Sequence, residues 1–307
     1  IYIHLGEEHL CEICTQHPRF HEWFGDYKES GLGLCCEEAA RLLLSSPEPL
    51  TFRTTVIEEE EDKTPFDKVL LDQLLCLRKE MFTLLQDRTK TFSSRLSSLL
   101  FLAEQAQQQL DHGIFIFTDI FLFTFNTNPV ENLDLLLSFL QTLEPIDLGW
   151  PDRLSCIQKE LPALLSNREQ FLSALHERMY EYEHLCVYFL YRYLLKATWD
   201  EDILSRVKFA VFSVSIIFLL GLYDFSKNGQ YSLLETPKHT PKKSSTATKI
   251  WNRFRAKLES ASLFYRCTDG FDLCSVLDKK KGLHLQSFLF YIDYIAHPLL
   301  RSTALCQ

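Results

Sequence analysis

The chain has 307 residues, 46 % of them hydrophobic and 24 % charged, with a formal net charge of −9 and a pI of about 5.6. That length suits one large domain or two ordinary ones and supplies ample material for a buried core. The acidic balance argues against a nucleic-acid interface, where a basic face must neutralise phosphates.

The sequence opens on Ile1-Tyr2-Ile3-His4, already mid-pattern, so the expectation is an N-terminally truncated fragment. No basic start followed by an apolar stretch and a small-residue cleavage site is present. Ten cysteines occur. Six (Cys76, Cys156, Cys186, Cys267, Cys274 and Cys306) are scattered and read as buried free thiols acting as small hydrophobes. Cys11, Cys14, Cys35 and Cys36 cluster near the start, which points to a reducing, cytoplasmic compartment and a metal site.

Residues 1–46 read as a cysteine- and histidine-rich segment ending in a helix, Glu37 to Leu44, that turns Ala39, Ala40, Leu42 and Leu43 toward packing. Residues 47–63 read as a linker, broken by Pro47 and Pro49 and ending in the acidic run Glu58 to Asp62. A helical domain is predicted over 64–307. Thr64-Pro65-Phe66-Asp67 is a helix start, with a capping hydroxyl and proline at the first helical position. Leu70, Leu71, Leu74, Leu77, Met81, Leu84 and Leu85 then recur at helical spacing. A second helix, about Ser93 to Leu110, is expected to pair with the first as a hairpin.

Residues 114–125 alternate phenylalanines at strand period in a helical context, and helix is favoured there. Asp119 within that run is either a partnered core acid or a site residue with a raised pKa. Asn132 to Leu143 reads as a helix. Arg153 to Trp199 reads as largely helical with a break near Pro162. Phe209 to Tyr223 is the most apolar run, shorter than the ~20 residues that span a bilayer, and reads as a buried core helix with no membrane insertion. Residues about 226–248 read as a mobile loop. Two amphipathic helices follow, near 249–265 and 283–295. The fold class is therefore mostly α, a helical domain preceded by a cysteine-rich metal-binding segment.

No GxGxxG, Walker A, HExxH, EF-hand or GxSxG pattern appears. Cys11-Glu12-Ile13-Cys14 is a CxxC and Cys35-Cys36 an adjacent pair. Thiolates are soft ligands suited to zinc or iron–sulfur clusters. Side chains of adjacent cysteines diverge, so one of Cys35 and Cys36 is the expected ligand. His4, His9, His17 and His21 lie nearby.

The residues then become specific. Leu5-Gly6-Glu7-Glu8, Cys14 ahead of Pro18-Arg19, Glu29 ahead of Leu32 and Leu34, and Cys36 leading into Glu38-Ala39-Ala40-Arg41-Leu42 resemble the flagellin lysine N-methylase (FliB-type) family. The match covers about the first 46 residues. The family usually carries Ser-Cys-Pro-Glu where this chain has Cys35-Cys36-Glu37-Glu38, so Cys36 is the matching cysteine and Cys35 an extra. The stretch YEHLCVYFLYRYLLKA is compatible with the family's helical body.

The resemblance implies methylation of flagellin lysine ε-amino groups with S-adenosylmethionine as donor. It also implies a cysteine-bound centre, an iron–sulfur cluster (4Fe-4S) with zinc or iron as alternatives, held by Cys14 and Cys36 with Cys11 and Cys35 in support. Arg19 and Arg41, inside the matching motifs, are candidates for cofactor binding. Transfer to lysine needs a neutral amine in line with the sulfonium methyl, and a carboxylate or tyrosine beside the amine serves that. By residue type Glu183, Tyr182 and Arg192 are the catalytic candidates, with Tyr191 and Tyr193 beside them. The structural alternative makes them packing aromatics and an intrahelical Glu–Arg pair. Two further functions fit the same thiols: a noncatalytic metal-binding helical interaction module, and a thiol redox protein using Cys11 and Cys14.

Overall fold

The computed structural model describes residues 15–58, 64–113 and 149–229, together with Gly6, 133–134, 137–138, 140–142 and Leu233. Among the described residues the chain is mostly helical, with one two-stranded sheet. The 114–125 run with Asp119, both C-terminal amphipathic helices and the acidic residues 59–62 lie outside the described residues.

Strand β1 (Arg19–Phe24) pairs antiparallel with β2 (Tyr27–Leu32) through a two-residue turn, Gly25-Asp26. This hairpin is an addition to the expected segment, which ends in the predicted helix. Gly25 sits at φ +64°, a left-handed conformation that suits glycine, and the Phe66 ring packs against it. Helix α1 (Glu37–Leu44) follows, with Glu37 and Glu38 in its first turn, where the helix dipole favours acids. Its boundaries are as expected. Its buried face is Ala39, Ala40 and Leu44, while Leu42 is 54 % exposed, so Leu42 does not pack as predicted.

Helix α2 (Lys68–Leu85) is capped by Asp67, whose carboxylate accepts from the Leu70 amide at 3.0 Å. The cap is therefore Asp67 rather than Thr64. Its buried stripe is Leu70, Leu71, Leu74, Leu77, Met81 and Leu85, as the spacing predicts, joined by Arg78. Helix α3 (Phe92–Asp111), capped by Thr91, packs back on α2 as the expected hairpin. Leu133, Asp134, Leu137, Ser138 and Leu140 are helical, and the three leucines are buried.

Helix α4 (Trp150–Ser166) runs through Pro162 rather than breaking there. The interruption comes at Asn167, where α5 (Arg168–Leu175) begins. A short 3₁₀ turn leads into α6 (Tyr180–Tyr193), then a second 3₁₀ turn and α7 (Ala197–Asp200). Helix α8 (Ile203–Asn228) is capped by Asp202 and ends at Gly229 with φ +66°. It continues into the segment expected to be a loop from 226.

Helix α8 is long and apolar enough to cross a membrane, yet 83 % of its most apolar window is buried inside the fold. It packs against α3 and α6, with Phe209 edge-on to Phe189 and Tyr193, and Phe218 edge-on to Phe171 and Tyr182. Each fully buried side chain of this size contributes about 1.5–3 kcal/mol. This is the buried core helix the composition predicts.

Candidate functional site

The hairpin has two faces of opposite character, set by strand alternation. Arg19, His21 and Trp23 of β1 lie across from Leu32, Ser30 and Lys28 on the outer face. Phe20, Glu22 and Phe24 lie across from Gly31, Glu29 and Tyr27 on the inner face, which docks onto α6 and its neighbours. Phe24 stacks on Trp199 at 4.8 Å. Glu22 accepts from Arg192 at 2.8 Å and lies 3.3 Å from Lys196. The Arg192 guanidinium also lies over the Phe20 ring at 3.9 Å. Gly31 lets that ring approach: a Cβ there would stand 2.4 Å from it.

Glu29 is the centre of the docked face. Both of its oxygens accept from Arg78, and Tyr27 donates to it at 2.9 Å. Carboxylate and guanidinium are both nearly fully buried. Burial opposes the charge on Arg78, and the hydrogen bonds and charge of Glu29 outweigh it, so Arg78 holds its proton more tightly than usual. Burial, then the neighbouring Glu29 charge, pushes the Tyr27 phenol up to about 12.

The chain beyond β2 carries the cysteine pair. The Leu34 amide donates to the Tyr188 hydroxyl at 3.3 Å, tying this loop to α6. Cys35 is exposed, its Sγ 3.2 Å from His17 Nε2, and Cys36 is half-buried at the start of α1. Cys35 and His17 match the donor types of a soft or borderline metal centre but are two donors only. Among the described residues no group of three or more His, Cys, Asp or Glu side chains is arranged to hold a metal ion. Cys11 and Cys14 lie outside those residues. Of the scattered cysteines, Cys186 is buried as expected, its thiol pKa raised by burial, whereas Cys76 and Cys156 are exposed.

The catalytic candidates separate. Glu183 is fully buried and takes Arg95 at 2.6 Å and Arg88 at 2.8 Å. Arg95 also donates to the Leu85 carbonyl, and Arg88 to Pro47 O at 2.6 Å. Tyr182 is fully buried against Phe218. Arg192 belongs to the hairpin contact. The expected intrahelical Glu183–Arg192 pair is therefore not formed. Arg41 pairs with Glu38 on the exposed face of α1, with Nε 2.7 Å from Oε2, and Arg19 is exposed on the outer hairpin face.

Sequence reasoning missed Arg78, Arg88 and Arg95, and singled out Glu29 only as part of a motif, without its buried partner. A usable signal existed for two of the arginines. Arg78 lies four residues after Leu74 and three before Met81, and Arg95 four before Leu99, so each interrupts an apolar stripe. A charge there needs a buried partner.

His184, one residue on from Glu183, donates from Nδ1 to the Leu43 carbonyl at 2.8 Å, while its Nε2 is buried without a partner. Burial holds its pKa below the ordinary 6.5. The unfolded chain therefore binds this proton more readily than the folded one. Stability is undiminished above about pH 6.5 and falls as pH drops below it toward the folded pKa. His184→Gln should flatten that limb of the stability–pH curve measured by urea unfolding. An unchanged limb would contradict this.

Compared with known proteins, neither the curated proteins nor the solved structures give a match. The family description "FliB lysine N-methylase C-terminal domain" matches residues 78–236, from the second half of α2 past the end of α8. The match falls on the helical body, not on the first 46 residues that carry the motif resemblance. It spans just over half of the 307 residues, and the chain belongs to the FliB lysine N-methylase C-terminal domain family.

Proposed function

We propose that the protein transfers methyl groups from S-adenosylmethionine to lysine side chains of flagellin, and that a cysteine-bound metal centre stands beside the helical domain. The family membership of residues 78–236 carries the methylase reading. The donor and the substrate extend it by resemblance.

The reaction asks the protein for an electrostatic guide and for positioning. A lysine ammonium must be drawn in, lose its proton and lie in line with the sulfonium methyl. An acidic chain of net charge −9 favours approach of a cation. Glu183, Tyr182 and Arg192 remain the residues put forward for the chemistry, and Arg19 and Arg41 for cofactor contact. Glu183 has a constraint to satisfy: its carboxylate is already shared by Arg88 and Arg95, so it acts by holding α6 unless one arginine moves.

Cys14, Cys36, Cys11 and Cys35 would hold the metal centre. When bound, an iron–sulfur cluster supplies a covalent clamp and a one-electron redox couple. The domain division proposed is 1–46 for the cysteine segment, 47–63 for the acidic linker and 64–307 for the helical domain.

Two measurements test this reading. Purified protein incubated with S-adenosylmethionine should release S-adenosylhomocysteine only when flagellin is added. Release that ignores flagellin, or none, contradicts the methylase reading. In protein purified without air, Cys14→Ser or Cys36→Ser should abolish the broad visible absorbance of an iron–sulfur centre, and Cys156→Ser should keep it. Absorbance retained in all three would overturn the ligand assignment.

A further inference from the structure

The segment between α1 and α2 lies partly on the face of α2. At Leu50 both backbone groups pair with the side-chain amide of Gln86. The Leu50 amide donates to Oε1 at 2.6 Å, and Gln86 Nε2 donates to the Leu50 carbonyl at 3.3 Å. Two residues later the Phe52 ring sits between two others. It stacks on Phe82 at 4.8 Å with 14° between planes, and on Tyr191 at 4.8 Å with 24°. Phe52 nevertheless remains 47 % exposed. Beyond it the segment is exposed through Ile57.

The walls of this slot come from the matched family domain, whereas the plug comes from the segment before it. Phe82 on α2 and Gln86, the residue that caps its C-terminal end, are one turn apart and so share a face. Tyr191 is fixed on the other side, its hydroxyl donating to Ser30 O at 3.0 Å. Beneath both rings lies the Arg78 guanidinium, 5.8 Å from the Phe82 centroid and 5.2 Å from that of Tyr191.

Without residues 50–52, the slot offers two aromatic faces, inclined by 14° and 24° to the plane that Phe52 fills, and, beside them, a planar amide with a donor group and an acceptor. One small-molecule class complements that pattern: a flat heteroaromatic ring whose edge carries an acceptor next to a donor. Adenine is such a ring, and a glutamine amide pairs with its N6 and N7 in this donor–acceptor fashion. Aromatic side chains also stack on bases. The segment presents both elements at once, a ring in the sandwich and an N–H and C=O against the amide.

We propose that Phe82, Tyr191 and Gln86 form an adenine-binding slot, and that Leu50 and Phe52 occupy it as an internal pseudo-ligand. A nucleotide-bearing ligand binds by displacing this strap. In the methylase reading, on which the choice of physiological ligand rests, that ligand is S-adenosylmethionine. The occupied slot lowers apparent affinity by the fraction of molecules in which the strap is in place.

The test is equilibrium binding to the full chain by calorimetry, with adenosine, S-adenosylmethionine and purine riboside as probes. Phe52→Ala removes the competing ring and should tighten adenosine binding about tenfold, the equivalent of the stacking it forfeits. Adding Gln86→Leu to Phe52→Ala should reverse that gain while leaving the circular dichroism spectrum and melting curve of the single variant. Purine riboside, which lacks the N6 donor that pairs with the amide oxygen, should bind weakly throughout. Adenosine affinity unchanged or weaker in Phe52→Ala, or unaffected by Gln86→Leu in that background, overturns the slot. The outcomes also separate the two readings. Adenosine tightening with no flagellin methylation removes the methylase and keeps the slot. Methylation unaffected by Phe52→Ala and Gln86→Leu, with no tightening, removes the slot and keeps the methylase.

Discussion

Glu183→Ala is expected to lower the unfolding free energy by about 3–5 kcal/mol, the scale seen when one partner of a buried ion pair is removed. The carboxylate is fully buried, and two guanidinium groups converge on it. Its removal leaves Arg95, itself 5 % exposed, without a counter-charge. Arg88 is 38 % exposed and can turn to water. The order of cost should therefore be Glu183→Ala, then Arg95→Ala, then Arg88→Ala. The three residues join the α2–α3 turn region, α6 and, through Pro47, the segment after α1. Urea unfolding of the three variants measures the order. A Glu183→Ala protein as stable as the wild type but unable to transfer methyl groups would assign the carboxylate to the chemistry. A destabilised protein that keeps its rate would assign it to the scaffold.

The second large effect concerns the hairpin. Glu29 and Arg78 are both buried, 49 residues apart in sequence, and doubly hydrogen-bonded. Arg78→Ala strands the Glu29 carboxylate under the sheet. The expected cost is again about 3–5 kcal/mol, expressed mainly as local opening, because the hairpin holds the body through one face. Amide exchange in β1 and β2 should accelerate strongly while that of α8 changes little. Replacing both partners, as Glu29→Leu with Arg78→Met, should recover most of the loss, since a pair of apolar groups leaves no charge uncompensated. Equal acceleration across hairpin and core in Arg78→Ala would contradict a latch confined to the hairpin. The same hairpin leads into Leu34, whose amide is tied to Tyr188, and then into the Cys35-Cys36 pair.

The helices were legible because their leucine stripes keep a 3.6-residue period and their caps are ordinary. Leu70 to Leu85 reads correctly from spacing alone, as does the α2–α3 hairpin. The β-hairpin escaped because its inner face is not apolar. Glu22 and Glu29 occupy inward positions, so hydrophobic alternation is broken where it matters most. The available signal was Gly25-Asp26 between two six-residue runs, the first of them rich in aromatics. The interruption at Asn167 rather than Pro162 depends on how successive helices pack, which no local pattern encodes. The charge network around Glu183 joins residues 88 to 95 positions apart. Periodicity shows a charge in an apolar stripe but does not show which charge answers it. The family suggested by short motifs near the start is the one whose description matches residues 78–236, which gave little local signal of their own.

The most direct measurement is the intact mass of flagellin after incubation with the protein and S-adenosylmethionine, followed by mapping of the modified side chains. Methyl transfer predicts added mass in steps of about 14 Da, one methylene each, located on lysine nitrogens and dependent on the donor. Flagellin of unchanged mass, in the presence of folded protein and donor, would contradict the account.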